Sequence, residues 1–398
     1  MMHLGSPSEC WGWVLSPFPL PHLDPQQSFL RLRLSGPDDA VAGAAREFTA
    51  LGGWASAVIP PSPPTFDHPQ VTLAGTLRRL HQLAEQGREP AAGAVKAALA
   101  TALDALPPVQ LGRHHFDFRR RVYVAGILNN TPDSFYDRGR HFGRHAALAR
   151  AEEIVEQGGD LIEIGGESAQ AGVRLSPAEE IARVVPLVEI LSARYAVPVA
   201  VDTYKPDVAR AAIGAGAVLI NDISGLGEPG MAEVIAGSNA GVVIMHLHGR
   251  PKEPYRDLEV PSMMDWVGAF LRQRLTGAAA IGVPRERIFV DPGLNFGKRP
   301  QRDLELMQRL PELRNFGCPI FVATSRKDYI RDLLGLPPDE LLEGTAAAVA
   351  FAVVQGANML RVHDVRPMVR VVRMTELLMG HNKTEGVVTE EARDVTAH

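Results

Sequence analysis

From Val122 onward the chain repeats one pattern, an apolar run that ends on polar or charged residues, at intervals of roughly thirty residues. VYVAGILN ends at Asn129, LIEIGGES carries Glu163, VPVAVD ends at Asp202 and AVLIND at Asn221 and Asp222. GVVIMH ends at His246, RIFVD at Asp291, PIFVATSRK at Lys327, and NMLRVHD at Arg361, His363 and Asp364. Few topologies accommodate eight such runs. Parallel strands need a crossover between them, usually a helix, and strands covered on both faces read as continuous apolar runs rather than alternating ones. The pattern predicts a (β/α)8 TIM barrel, an α/β fold, preceded by a small α/β N-terminal domain. In such a barrel the loops after the strands build the site, so the polar run ends are expected to face one pocket.

The 398 residues exceed the roughly 250 that one barrel needs, which leaves about 120 for a further unit. The expected division is a small α/β extension over residues 1–112, a linker over 113–120, the barrel over 121–380 and a polar tail over 381–398. A formal net charge of -5 gives no long-range attraction for nucleic acid or an anionic membrane, so neither is expected as a partner. Two cysteines, Cys10 and Cys318, cannot build a disulfide framework, and no Cys/His cluster suggests zinc; a cytoplasmic location is expected. The stretch from Cys10 to Pro21 is broken by Pro17, Pro19 and Pro21 and does not read as an export signal. The longest apolar run, Ala346 to Val354, is far shorter than the 18 or so residues of a membrane span.

Within the extension, Leu30, Leu32 and Leu34 alternate with Arg31 and Arg33 as one strand. Pro37, Asp38 and Asp39 open a helix that closes at Gly52-Gly53. Trp54 to Ile59 and Val71 to Ala74 read as strands, Leu77 to Gln86 and Ala91 to Leu106 as helices. No cluster of catalytic residue types stands out there, so the unit reads as a docking or dimer-forming appendage. A chain beginning near Arg113 is expected to keep whatever activity the barrel has if it remains folded and assembled.

The motifs GILNNTPDSFYDRG, EIGGES, VDTYKP, NDISG, MHLHG, DPGLNFGK, TSRK, GTAAA and RVHDV follow one another at the predicted strand ends. Together they resemble dihydropteroate synthase over about 260 residues, Arg121 to Gly380. The resemblance implies a transferase of folate biosynthesis. It condenses 6-hydroxymethyl-7,8-dihydropterin pyrophosphate with para-aminobenzoate, uses magnesium and releases pyrophosphate. A homodimer is expected.

Residue by residue, the resemblance assigns Asp202, Asn221 and Asp291 to pterin binding. A reduced pterin presents an edge of mostly donor nitrogens, which suits carboxylates and an amide held by three different strands. Lys327 supplies the complementary donor. Arg361 suits the pyrophosphate oxygens through two parallel bonds and can stack on the pterin, and His363 donates another bond. Asn129 matches the position that meets magnesium and the phosphates, and Ser325, in TSRK, lies where a short helix N-terminus can add backbone donors for the substrate. Asp137, in the loop after the first strand, matches a carboxylate that stabilises the positive charge left on the pterin methylene when pyrophosphate departs. Phe296 and Arg326 match positions that hold the aromatic amine. Taken as residues alone, Asp202 also suits a helix cap before Pro206, and Arg361 a strand-end ion pair with Asp364.

The match breaks where the family usually reads GGESTRPG, because Ala169, Gln170 and Ala171 stand in place of Thr, Arg and Pro. Asn130 and Asn295 likewise replace an apolar residue and a glycine. The pterin half of the site therefore reads as intact and the amine half as altered. Besides a synthase, this leaves a pterin-binding paralogue without synthase activity, or an enzyme with another amine substrate. Arg174, four residues beyond Gln170, is expected to reach into the vacated space. Other chemistries lack support: the stretch from Gly293 to Lys298 has the wrong spacing for a phosphate-cradling loop. His246 and His248 lack further metal ligands, and no GxSxG elbow occurs.

Overall fold

The computed structural model describes residues 10–15, 29–59, 69–103, 105–132, 141–168, 174–253 and 259–380. Among the described residues, four strands and three helices precede a hairpin: β1 (Trp11–Leu15), β2 (Phe29–Ser35), α1 (Asp38–Ala50), the two-residue β3 (Trp54–Ala55), β4 (Gln70–Thr76), α2 (Leu77–Gln86) and α3 (Ala91–Leu103). The hairpin is β5 (Val109–Leu111) and β6 (His114–Phe116). Strands and helices then alternate: β7 (Tyr123–Asn129), α4 (Arg144–Glu156), β8 (Leu161–Gly165), α5 (Pro177–Arg194), β9 (Val199–Asp202), α6 (Pro206–Gly214), β10 (Leu219–Asp222) and α7 (Met231–Ala236). The series continues with β11 (Gly241–Met245), α8 (Met263–Ile281), β12 (Ile288–Asp291), α9 (Pro300–Gln308), β13 (Phe321–Val322), α10 (Asp328–Leu334), α11 (Leu342–Val354), β14 (Met359–Val362) and α12 (Val365–Leu378).

Strands β7 to β14 run parallel in the spatial order β12-β11-β10-β9-β8-β7-β14-β13, and a single bridge between Val290 and Ile320 closes the ring. This is the expected (β/α)8 barrel. Side chains alternate across each strand, and here both sides are buried. Val124, Ile162, Val201, Ile220, Val242, Val290 and Leu360 face outward into the core shared with the helices. Inward, each strand contributes one residue to an apolar floor: Ala125, Leu161, Ala200, Leu219, Val243, Phe289, Phe321 and Met359. The hairpin seals this floor from below, with Val109, Leu111 and Phe116 in the same cluster and Phe118 edge-on to Phe289 at 5.8 Å. Residues 113–120, expected only to join two units, thus also close the barrel floor.

The extension forms an antiparallel sheet of order β1-β2-β4-β3, with Leu30, Leu32 and Leu34 buried beneath helices as their alternation with arginine requires. Two expectations change. Strand β1 was not foreseen, and the strand expected at Trp54 to Ile59 shrinks to Trp54–Ala55 plus an isolated bridge from Ile59 to Gln70. The unit is also firmly docked. Trp13 and Leu15 lie in the barrel's outer core, Trp13 Nε1 donates to Glu312 at 3.0 Å, and its ring meets Phe316 edge-on at 5.0 Å. Asn315 pairs with the Val14 backbone in both directions, at 2.7 and 2.8 Å. Arg33 and Arg309 share Asp265 at 2.8 and 3.0 Å. A chain beginning at Arg113 would lose these contacts together with Val109 and Leu111, so the condition that it remain folded is the demanding part of that expectation. No helix among the described residues is long and apolar enough to cross a membrane.

Candidate active site

Two residues beyond the floor, the same strands point inward again, with Ile127, Glu163, Asp202, Asn221, Met245, Asp291, Ala323 and Arg361. All but Glu163 line a cavity of roughly 350 Å³ at the C-terminal end of the barrel. The loops beyond add Asn129, Phe296, Ser325, Arg326, Lys327 and His363. Ten residues singled out from the sequence therefore meet in one place; Asp137 lies outside the described residues. Four run ends expected to face the pocket do not line it. Glu163 lies beneath it, Asp222 accepts from Ser224 N, Ser224 Oγ and Leu226 N to fold its own loop, His246 packs edge-on against Phe270 at 4.9 Å, and Asp364 turns to Arg326.

Arg361 organises the base of the cavity. Its Nη2 donates to Asp202 Oδ2 at 2.9 Å and its Nε to Glu163, which also accepts from Asn221 Nδ2 at 3.4 Å. One guanidinium thus ties β14 to β8, β9 and, through Glu163, β10. The local alternatives fail: Asp364 is held by Arg326 through two parallel bonds of 2.7 and 3.0 Å, and α6 is preceded by Lys205 with no side-chain cap. Asn221 Oδ1 is buried without a hydrogen-bond partner, an acceptor open to a ligand.

Burial dominates the charges here. It pushes the Asp202 carboxyl up to about 7 against the pull of Arg361, and Asp291 up to about 6 despite the bond from Gly293 N and nearby Lys327 and Lys298. Burial, reinforced by Arg361, brings Lys327 down to about 8, and its Nζ sits 4.6 Å from the centre of the Phe296 ring. His363 falls well below the ordinary imidazole range, through burial first and then Arg361 and Lys327. It is therefore neutral at neutral pH. Its backbone N donates to Ser325 Oγ at 3.1 Å, and its Nδ1 lies 3.1 Å from the same oxygen.

The loop after β12 is bracketed by Lys298, whose Nζ donates to Gly293 O at 2.7 Å and Phe296 O at 3.0 Å. Gly293 has φ +68°, and a Cβ there would lie 2.0 Å from His246 O, so only glycine fits. Asn295, where the resembled family carries glycine, has φ +71°, a region asparagine tolerates better than most residues. Asn130 is equally structural: its Nδ2 donates to Arg183 O and its Oδ1 accepts from Gly143 N, both at 2.9 Å. Arg150 of α4 was missed, although it donates to the carbonyls of His363 and Ile127. A lone arginine in an otherwise apolar helix face was its only local signal.

On the amine side, Ala169, Gln170 and Ala171 lie outside the described residues. Arg174 does not line the cavity; its Nη2 donates to Pro251 O at 2.8 Å, and the neighbourhood of Gln170 that it was expected to reach lies outside the described residues. Among the described residues no group of three or more His, Cys, Asp or Glu could hold a metal. Asn129 Oδ1 lies near Gly165, 3.2 Å from where a Cβ would sit. A single amide oxygen is compatible in chemistry with a magnesium ion that keeps several of its waters, since magnesium needs few protein ligands.

Residues 125–363 match the family of pterin binding enzymes. A dihydropteroate synthase of Bacillus subtilis is 39% identical over 264 residues, covering 66% of this chain and 90% of the relative. An inactive dihydropteroate synthase 2 of Mycobacterium leprae is 40% identical over 267 residues, covering 65% and 91%. Among solved structures, the dihydropteroate synthase of Yersinia pestis in a sulfonamide drug complex superimposes with a TM-score of 0.67 at 36% identity, over 69% of this chain and 100% of that one. The Xanthomonas albilineans enzyme in complex with 7,8-dihydropteroate does so with a TM-score of 0.60 at 33% identity, over 68% and 98%.

Proposed function

This chain belongs to the dihydropteroate synthase family of pterin binding enzymes, and we propose that it condenses 6-hydroxymethyl-7,8-dihydropterin pyrophosphate with para-aminobenzoate and releases pyrophosphate. The observation that carries this function is the convergence of Asp202, Asn221, Asp291 and Lys327 from four strand ends on one buried cavity.

Asp202 and Asp291 accept the donor edge of the pterin, Asn221 offers its open Oδ1, and Lys327 donates to the acceptor side. Held away from water, these groups interact more strongly than they would at the surface. Arg361 and neutral His363 meet the pyrophosphate, with Ser325 holding the imidazole. As the bond between the pterin methylene and the pyrophosphate oxygen breaks, its electron pair leaves with the pyrophosphate. Asp137 stabilises the positive charge left on the pterin. The amine nitrogen then bonds to that carbon and releases one proton. Phe296 offers the amine ring an apolar face, and Arg326, fixed by Asp364, contributes a stationary positive charge. Asn129 would hold a magnesium ion brought by the pyrophosphate, which neutralises charge on the leaving group.

Free Cys10 and Cys318 support a reducing, cytoplasmic setting. A homodimer is supported by the apolar surface on Phe351, Val354, Met374, Leu377 and Leu378, the last 71% exposed, along α11 and α12.

A second function, pterin binding without turnover, is favoured by one observation: Ala169, Gln170 and Ala171 replace the usual Thr, Arg and Pro, and the chain is as similar to an inactive relative as to active ones. Complementation of a synthase-deficient strain without added folate separates the two. Growth is expected. No growth, with tight pterin binding by calorimetry, would give the binder the lead, and the triple change Ala169→Thr, Gln170→Arg, Ala171→Pro should then restore turnover.

A further inference from the structure

Glu167 and Ser168, directly after β8, form a wall of the cavity that the scheme above leaves unused. Two buried lysines from other loops hold it. Lys205, just before α6, places Nζ 3.2 Å from Glu167 Oε2 and 2.5 Å from Glu180 Oε2. Glu167 Oε1 accepts from Leu175 N. From the opposite flank Lys252, beyond β11, donates Nζ to Ser168 O at 2.9 Å, and the neighbouring Pro251 O takes Arg174 Nη2 at 2.8 Å. Lys252 does so from a left-handed backbone, φ +68°, which a non-glycine residue adopts only at a cost, and with its side chain buried. Strain and burial of an ammonium at one residue, for the sake of one carbonyl, mark that carbonyl's position as consequential.

The chemistry of the wall indicates which reactant it serves. The pterin groups come from β9, β10, β12 and the loop after β13; β9 is the neighbour of β8, but none of them stands on the loop after β8. Pyrophosphate would be repelled by the Glu167 carboxylate. An attacking amine carries N–H donors, and Glu167 Oε2, buried, ion-paired to Lys205 at 3.2 Å and without a hydrogen-bond partner, can accept one. Building on the synthase function proposed above, we infer that Lys252 is a positioning residue for the amine substrate, fixing the Glu167–Ser168 wall so that Glu167 Oε2 orients the attacking nitrogen.

The test compares the full-length protein with Lys252→Met, which keeps length and loses the donor, and Lys252→Arg, which restores one. With pterin pyrophosphate saturating, Lys252→Met should raise the KM for para-aminobenzoate about tenfold, the weight of one hydrogen bond from a charged group. Its pterin affinity by calorimetry should stay within about twofold, since the wall lies outside the pterin set. Lys252→Arg should recover most of the loss. An unchanged amine KM, or an equal loss of pterin affinity, overturns the inference. If the parent chain turns over nothing, the synthase function fails on its own account. Para-aminobenzoate affinity measured with pterin and pyrophosphate bound then decides the role of Lys252: a drop in Lys252→Met supports it, and equal affinity in the two proteins overturns it.

Discussion

Each barrel strand turns two residues inward, two positions apart, and the two layers follow different rules. The lower one, from Ala125 round to Met359, is wholly apolar and sealed by the hairpin. The upper one carries carboxylates on β8, β9 and β12, an amide on β10 and a guanidinium on β14. One pleat repeat, roughly 6.6 Å, separates them. Hydrophobic burial in the floor stabilises the barrel, whereas the upper layer holds charges that burial disfavours: Asp202 and Asp291 are pushed up and Lys327 down. Stability and chemistry are thus segregated along β8, β9, β10, β12 and β14, and a change in one layer should leave the other's property nearly untouched.

Removing residues 1–112 should have the largest effect, because it opens the floor at Val109 and Leu111 and strips Trp13 and Leu15 from the outer core. Little soluble, cooperatively melting protein is expected; a well-folded barrel from residues 113–398 would show that the floor closes without β5. Next comes Phe289→Ala in the intact chain. Deleting a fully buried ring should cost about 3–5 kcal/mol by denaturant titration, with pterin affinity of the remaining folded protein unchanged. A drop in pterin affinity comparable to the loss of stability would break the separation of layers.

Asp291→Asn tests the opposite case. It should weaken pterin binding by about 2 kcal/mol, the scale of a charge-assisted bond, without lowering stability at pH 7.5. Unchanged pterin affinity would remove Asp291 from the pocket assignment. The smallest effect is on pH dependence. With a folded value near 6 and an ordinary one of 3.8, native Asp291 retains a proton that the unfolded chain has lost between those pH values. Its contribution to stability therefore falls as pH rises through that window and stays low above it. Taking the difference from the parent cancels the histidines, so the Tm of Asp291→Asn minus that of the parent should grow between pH 4.5 and 7.5. A difference that shrinks over this range would mean that Lys327 and Lys298 outweigh burial.

Most of the barrel could be read from sequence because its signal is local: an apolar run that stops at a polar residue marks a strand end wherever it occurs. Asp202, Asn221, Asp291 and Lys327 were found that way. What stayed hidden depends on closure. Arg361 had Asp364 three residues away as a plausible partner, yet it pairs with Glu163, 198 residues distant, which only the closed ring brings near. Strand β1 offers no alternation in Trp11 to Leu15 and is followed by prolines. Its extended state comes from pairing with β2 and from Glu312, 299 residues from Trp13. The link from Lys252 to Ser168 likewise has no motif, since it joins two loops whose strands are not neighbours.

The single bridge between Val290 and Ile320 gives the ring a seam. Everywhere else neighbouring strands are laced by ladders of two or more residue pairs, but at the seam Val290 N has Pro319 O at 2.9 Å and little beside it. Asp291 stands on one lip and Lys327 beyond the other. A pterin gripped by both would act as a clasp, coupling occupancy to the rate at which the ring breathes. Amide exchange at Val290 should then slow on pterin binding by more than exchange on β8 or β9, whose ladders flank them on both sides.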